Sequence, residues 1–172
     1  MTSEILFYIF IGLIVLVGFF RLLRGGNYVD EHLRLVKKGK IFSQPLMNKS
    51  EMRLYKELRN WQRVSGKTNL NLFSQVSMGE ILSTDKEETR RSFNAKRLDF
   101  LFVDQDAMPC VAIEYQGQGH FGEDDIQKKQ VKKRDKVKRL ALEKAGIILI
   151  EIFPEDRQKE IQAKLNLALD KL

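Results

Sequence analysis

Two short apolar runs, each carrying a carboxylate, constrain the fold of this chain more than any other feature. Residues 98–103 read LDFLFV and residues 110–115 read CVAIEY, with the turn-rich Asp104-Gln-Asp-Ala-Met-Pro109 between them. Apolar runs of this length between turn signals predict a hairpin of buried strands. A third run, 147–153, follows a helical stretch that begins near Asp124 or Asp125 and is closed by Gly146 as a C-cap. That helix makes a crossover between the second hairpin strand and the third run. Upstream, Asn48-Lys-Ser-Glu51 spells a capping box for a helix through about Arg63, with Met52, Tyr55 and Leu58 on one face. Residues 70–78 suit a strand or an irregular extended segment, and the charged 83–92 reads as a loop. Residues 155–172 predict an amphipathic helix presenting Ile161, Leu165, Ala168 and Leu169. The expected fold is α/β, a central mixed sheet flanked by helices.

Composition removes whole classes. A single cysteine, Cys110, forms no intrachain disulfide, and with only His32 and His120 no cysteine/histidine zinc cluster can be assembled. The charge is +7, from 30 Lys+Arg and 23 Asp+Glu over 172 residues. Apolar residues concentrate at the start, where 5–20 contain no charge and Leu22-Leu23 extend the run past Arg21. As a helix, 5–23 reach about 28 Å, which predicts a transmembrane span with Arg21 at the headgroups. Only Glu4 is charged before the run, and bulky Phe19-Phe20-Arg21 follows it, so a cleaved signal peptide is not expected. Arg21, Arg24, Arg34, Lys37, Lys38 and Lys40 all follow the run, which predicts a single-pass inner-membrane protein with a cytoplasmic C-terminal domain. Three segments result: an anchor, 1–24; a basic juxtamembrane linker, 25–46; and a domain, 47–172.

Asp99 and Glu114 sit where buried strands should carry no charge, so each needs a partner. Lys96 or Arg97 is one choice. A divalent metal is the other, because oxygen ligands from two neighbouring strand ends hold Mg²⁺ with water and phosphate completing its shell. Two such acids on adjacent strands favour the metal.

Asp99, then Glu114-Tyr-Gln116-Gly-Gln-Gly-His120-Phe, then Lys133-Arg-Asp135-Lys-Val-Lys-Arg139-Leu, and finally Ala145-Gly-Ile-Ile-Leu-Ile-Glu151-Ile resemble the PD-(D/E)xK nuclease superfamily. The nearest branch is the one around very-short-patch-repair endonucleases and related phage and homing-type nucleases. The resemblance implies a restriction-endonuclease-like fold over 47–153 and a metal-dependent phosphodiesterase. It implies that Asp99 and Glu114, with the carbonyl of Tyr115, hold Mg²⁺ or Mn²⁺. Gln116 stands in the place of the motif lysine and offers a neutral amide instead of a charge. Leu98 replaces the motif proline. His120 is the implied proton-transfer group, with Asp135 orienting it or holding a water; an ion pair with Lys138 or Arg139 is the other use of Asp135. Glu51 matches an acid such nucleases carry on the first helix, and equally fits the capping box.

The helix before Gly146 adds an independent signal. Residues 127–144 carry Lys128, Lys129, Lys132, Lys133, Arg134, Lys136, Lys138, Arg139 and Lys144 against Asp135 and Glu143. Such density suits a nucleic-acid backbone, which neutralises the charges with counterion release. Anionic lipid or plain solvation are the rival uses. The sequence therefore predicts a membrane-anchored, Mg²⁺-dependent endonuclease, with DNA as the first candidate substrate. Its rival is a nuclease-fold module that binds nucleic acid or anionic lipid through 127–144 without cutting.

Overall fold

The computed structural model describes residues 2–24, 28–117 and 125–170, with side chains described at 5–19, 28–117 and 133–170. The chain divides into two units, Met1–Gln44 and Pro45–Leu172.

In the first unit, α1 spans Thr2–Arg24 and α2 spans Tyr28–Lys38. Among the described residues no helix is long and apolar enough to cross a membrane. This overturns the expected transmembrane helix, and with it the single-pass topology and the inner-membrane location. The linker expectation changes as well, because 25–46 contain α2. Asp30 and Glu31 lie in its first turn and Lys37 and Lys38 in its last, matching the helix dipole at both ends. Arg34 adds an ion pair with Glu31, and no residue of α2 is buried.

The second unit is a four-stranded mixed sheet in the order β1-β2-β3-β4. Its elements are α3 (Lys49–Val64), β1 (Asn71–Ser77), α4 (Met78–Ile81), α5 (Glu87–Phe93), β2 (Arg97–Val103), β3 (Pro109–Tyr115), α6 (Asp125–Lys144), β4 (Ile148–Ile152) and α7 (Gln158–Leu169). β1, β2 and β3 pair antiparallel, and α6 carries the chain over to β4, which runs parallel to β3. The hairpin, the crossover and the mixed α/β sheet are as the apolar runs predict.

Alternation on the strands builds two cores. Phe100, Phe102, Val111, Ile113, Ile150 and Ile152 pack on one face against Leu54, Leu58 and Trp61 of α3 and Ile161, Leu165, Ala168 and Leu169 of α7. Leu98, Leu101, Val103, Ala112 and Ile147 pack on the other against Met78, Phe93 and Leu142. Each fully buried Leu, Ile, Val or Phe contributes about 1.5–3 kcal/mol, so the two layers fix the sheet from both sides.

The ends of the helices follow their local signals. Asn48 and Glu51 close the capping box reciprocally, each bond 2.9 Å. Gly146, at φ +72°, ends α6 with the paired bonds Gly146 N to Glu143 O and Ile147 N to Leu142 O. The buried stripe of α3 is Leu54, Leu58 and Trp61, whereas Met52 is exposed and Tyr55 half-buried against Phe100. The predicted loop 83–92 is partly helical, because Phe93 anchors α5 in the second core and Glu87 pairs with Arg91 four residues on.

Candidate active site

The site lies where β3 ends. Glu114, the penultimate residue of β3, is 9% exposed. Its neighbour across the parallel ladder is Glu151 of β4, so two acids stand side by side, a repulsive placement unless cations intervene. Successive residues of α6 supply them. Lys138 Nζ donates to Glu114 Oε2 at 2.7 Å, and Arg139 Nη2 donates to Glu151 Oε1 at 2.5 Å. Gln116 Nε2 also donates to Glu151 Oε1, at 2.7 Å.

Asp99 reaches the same place from β2. The β2–β3 ladder stops at Phe100↔Ile113, and the next pair in that register would be Asp99 and Glu114. In place of a ladder bond, Asp99 Oδ2 accepts the backbone N–H of Tyr115 at 2.8 Å. The Tyr115 carbonyl accepts from Gly117 N at 3.1 Å, which occupies one of its two lone pairs.

Charge is unbalanced here. Glu114 Oε1 is buried and has no hydrogen-bond partner among the described residues. Burial pushes the Glu114 carboxyl from its ordinary 4.5 up to about 7; Lys138 opposes that rise and the nearby Asp99 carboxylate adds to it. Lys138 alone does not offset the effect of burial on Glu114. The donors present are hard oxygens: the free edge of Glu114, the Asp99 carboxylate and the Tyr115 carbonyl. Among the described residues no three His, Cys, Asp or Glu side chains converge. Carboxylate and carbonyl oxygens are the donor type that Mg²⁺ and Mn²⁺ take, with water completing the shell.

The remaining predicted residues distribute as follows. Glu51 is engaged in the capping box of α3, and no described hydrogen bond links it to Asp99 or Glu114. Asp135 is half-buried one turn before Lys138, on the stripe of α6 that continues to buried Leu142. Lys133, Arg134, Lys136 and Arg139 are exposed on α6. Lys128, Lys129 and Lys132 belong to the same helix, but their side chains lie outside the described residues, as does His120. Neither Lys96 nor Arg97 partners the strand acids; Arg97 is exposed, and Lys138 takes Glu114. Sequence reasoning counted Lys138 among the helix charges and as one possible partner of Asp135, not as the partner of Glu114. The signal that marks it is its spacing of four from Leu142, which puts a cation on the buried stripe.

A family model described as "Protein of unknown function (DUF2726)" matches residues 43–169. The chain belongs to that family. A Haemophilus influenzae protein, "Uncharacterized protein", is 40% identical over 133 residues, covering 77% of this chain and 66% of that protein. "Uncharacterized protein y4bI" of Sinorhizobium fredii is 39% identical over 112 residues, covering 64% of this chain and 75% of that one. The chain thus spans just under two thirds of the Haemophilus protein's length. No solved structure matches.

The raised Glu114 carboxyl has a consequence for the metal-free protein. Folded Glu114 binds its proton more tightly than unfolded Glu114, so its contribution to stability is complete below pH 4.5 and is lost as pH rises through about 7. Unfolding in chelator should show stability falling from pH 5 to pH 8 by up to about 3 kcal/mol. Glu114→Gln should flatten that slope. A variant whose pH curve runs parallel to that of the wild type would show that Glu114 does not carry it.

Proposed function

We propose that this protein is a divalent-metal-dependent nuclease of the PD-(D/E)xK type, with DNA as the first candidate substrate. One observation carries the reading: a buried, partly unsatisfied Glu114 beside Asp99, at the parting of two strands, next to a helix dense in cations. Such groups are placed at a cost to stability that a purely structural role does not require.

Asp99, Glu114 and the Tyr115 carbonyl would hold the metal. When bound, Mg²⁺ or Mn²⁺ lowers the pKa of a coordinated water and offsets charge on the scissile phosphate. Lys138 supplies, from α6, the cation that Gln116 cannot supply from its place just after β3. It neutralises Glu114 in the metal-free protein and would offer its ammonium to the phosphate. Glu151 fixes the Gln116 amide through its nitrogen, leaving the amide oxygen as an acceptor for the attacking water. Water oxygen bonds to phosphorus as the phosphorus–oxygen bond to the leaving sugar breaks. Its proton passes to a base, for which the resemblance offers His120. Lys133, Arg134, Lys136 and Arg139, with the other cations of α6, meet the phosphate backbone.

Two experiments on the full chain test the reading. Asp99→Asn and Glu114→Gln should each lower Mg²⁺- or Mn²⁺-dependent cleavage by about 1,000-fold or more while nucleic acid still binds. Full cleavage by both variants would remove the site assignment. Binding without cleavage by the wild type, under every metal and with every DNA and RNA form, would leave the non-cutting module. In the second experiment, Lys128, Lys129, Lys132 and Lys133 are changed together to Gln. Affinity should fall across all sequences, and the salt dependence should flatten by about one unit of slope per lost phosphate contact. An unchanged slope would return α6 to the status of a solvated face, and loss of binding to anionic vesicles instead would favour lipid.

A further inference from the structure

We infer that Gln75 is the positioning residue for Asp99, through a kink in β1 that its backbone imposes on β2. The inference rests on reading Asp99 as part of the active site, and it concerns how that acid comes to face β3.

Gln75 has φ +56° in the middle of a strand, a left-handed conformation that side chains other than glycine adopt rarely. The other such residue described, Ala107 at φ +61°, lies in the exposed β2–β3 turn, where the backbone reverses and such angles are ordinary. Nothing reverses at Gln75. Strain kept at a strand position points to a role elsewhere in the structure.

The register shows what the strain does. β1 and β2 pair as Phe73↔Leu101 and Ser74↔Phe100, then resume as Val76↔Leu98 and Ser77↔Arg97. The omitted pair is Gln75 and Asp99. Across that gap both strands change face. Leu72 packs on the first core and Val76 on the second, although two residues four apart on a regular strand share a face. Phe100 lies in the first core and Leu98 in the second, although they are two apart. Asp99 therefore stands between a residue directed to one layer and a residue directed to the other. A side chain so placed lies in the plane of the sheet. Its carboxylate accordingly takes a backbone N–H of the next strand, Tyr115, at 2.8 Å; a side chain standing perpendicular to the sheet does not reach such a donor.

Gln75→Gly keeps the left-handed conformation without strain, whereas Gln75→Val opposes it because a β-branched residue disfavours positive φ. Gln75→Ala is the milder variant should the valine protein not fold. Amide hydrogen exchange at Tyr115, measured on the full chain without metal, reads the Asp99 contact directly. The glycine variant should match the wild type at Tyr115 and in cleavage. The valine variant should exchange Tyr115 at least about tenfold faster and lose about 100-fold in kcat with KM unchanged, and the alanine variant should fall between. Asp99→Ala should reproduce the valine variant's exchange at Tyr115. Wild-type exchange and cleavage in the valine variant, or in the alanine variant if valine does not fold, would overturn the inference. So would a glycine variant that behaves as valine does. A wild type that cuts nothing yet shows this exchange pattern would sink the nuclease reading alone and leave Gln75 as the residue that places Asp99.

Discussion

Burying a carboxylate at the end of a strand, with one oxygen unpaired among the described residues, is the constraint around which the second unit is arranged. Glu114 has no solvent to fall back on, and Lys138 satisfies only one side of it. A buried acid in that state costs several kcal/mol unless something supplies further positive charge. The surroundings add to the demand, since Asp99 lies close enough to raise the Glu114 carboxyl further and Glu151 is its ladder neighbour. A hydrophobic residue at 114 would relieve all of this at once. Retaining an acid there is what the proposed metal role accounts for and a purely structural role does not.

The crossover couples that site to the fold. Because α6 joins β3 to β4, it lies over the two strands whose acids face each other, and Leu142 in the second core fixes its rotation. Lys138 and Arg139 thereby meet Glu114 and Glu151, while Lys133, Arg134 and Lys136 of the same helix are exposed. The same helix neutralises the two acids and carries the cations that the proposed function assigns to a polyanion. Lys164 of α7 serves the outer side, donating to the Glu151 carbonyl at 3.0 Å and pairing with Asp156, so the end of the β4 edge is occupied by a charge and presents no bare ladder.

The elements that sequence made legible were those whose local signal and tertiary environment agree. Strands β2, β3 and β4 are buried on both faces, so continuous apolar runs reported them directly. The capping box of α3 and Gly146 after α6 act within a few residues, and the four apolar positions of α7 repeat at helical spacing. Long-range choices were hidden. Which of nine cations on 127–144 turns inward depends on where Leu142 packs, and Lys96 and Arg97 looked closer to the acids than Lys138 only along the chain. Gln75 left no signal at all, since nothing in NLFSQVS marks a left-handed residue. At the start of the chain hydropathy alone suggested a membrane span, and the described helices do not provide one. Helices α2 and α5 were missed because charge density there reads as loop, while their stability comes from paired acids and bases and, for α5, from one buried aromatic.

Anomalous diffraction from crystals of the full chain grown with Mn²⁺ tests the central claim most directly, because it locates the ion without reference to any substrate. The predicted result is a single strong peak between Asp99 and Glu114, at about 2.0–2.3 Å from a carboxylate oxygen of each, with Lys138 displaced from Glu114. No peak there at saturating Mn²⁺, with Lys138 still held by Glu114, would contradict it.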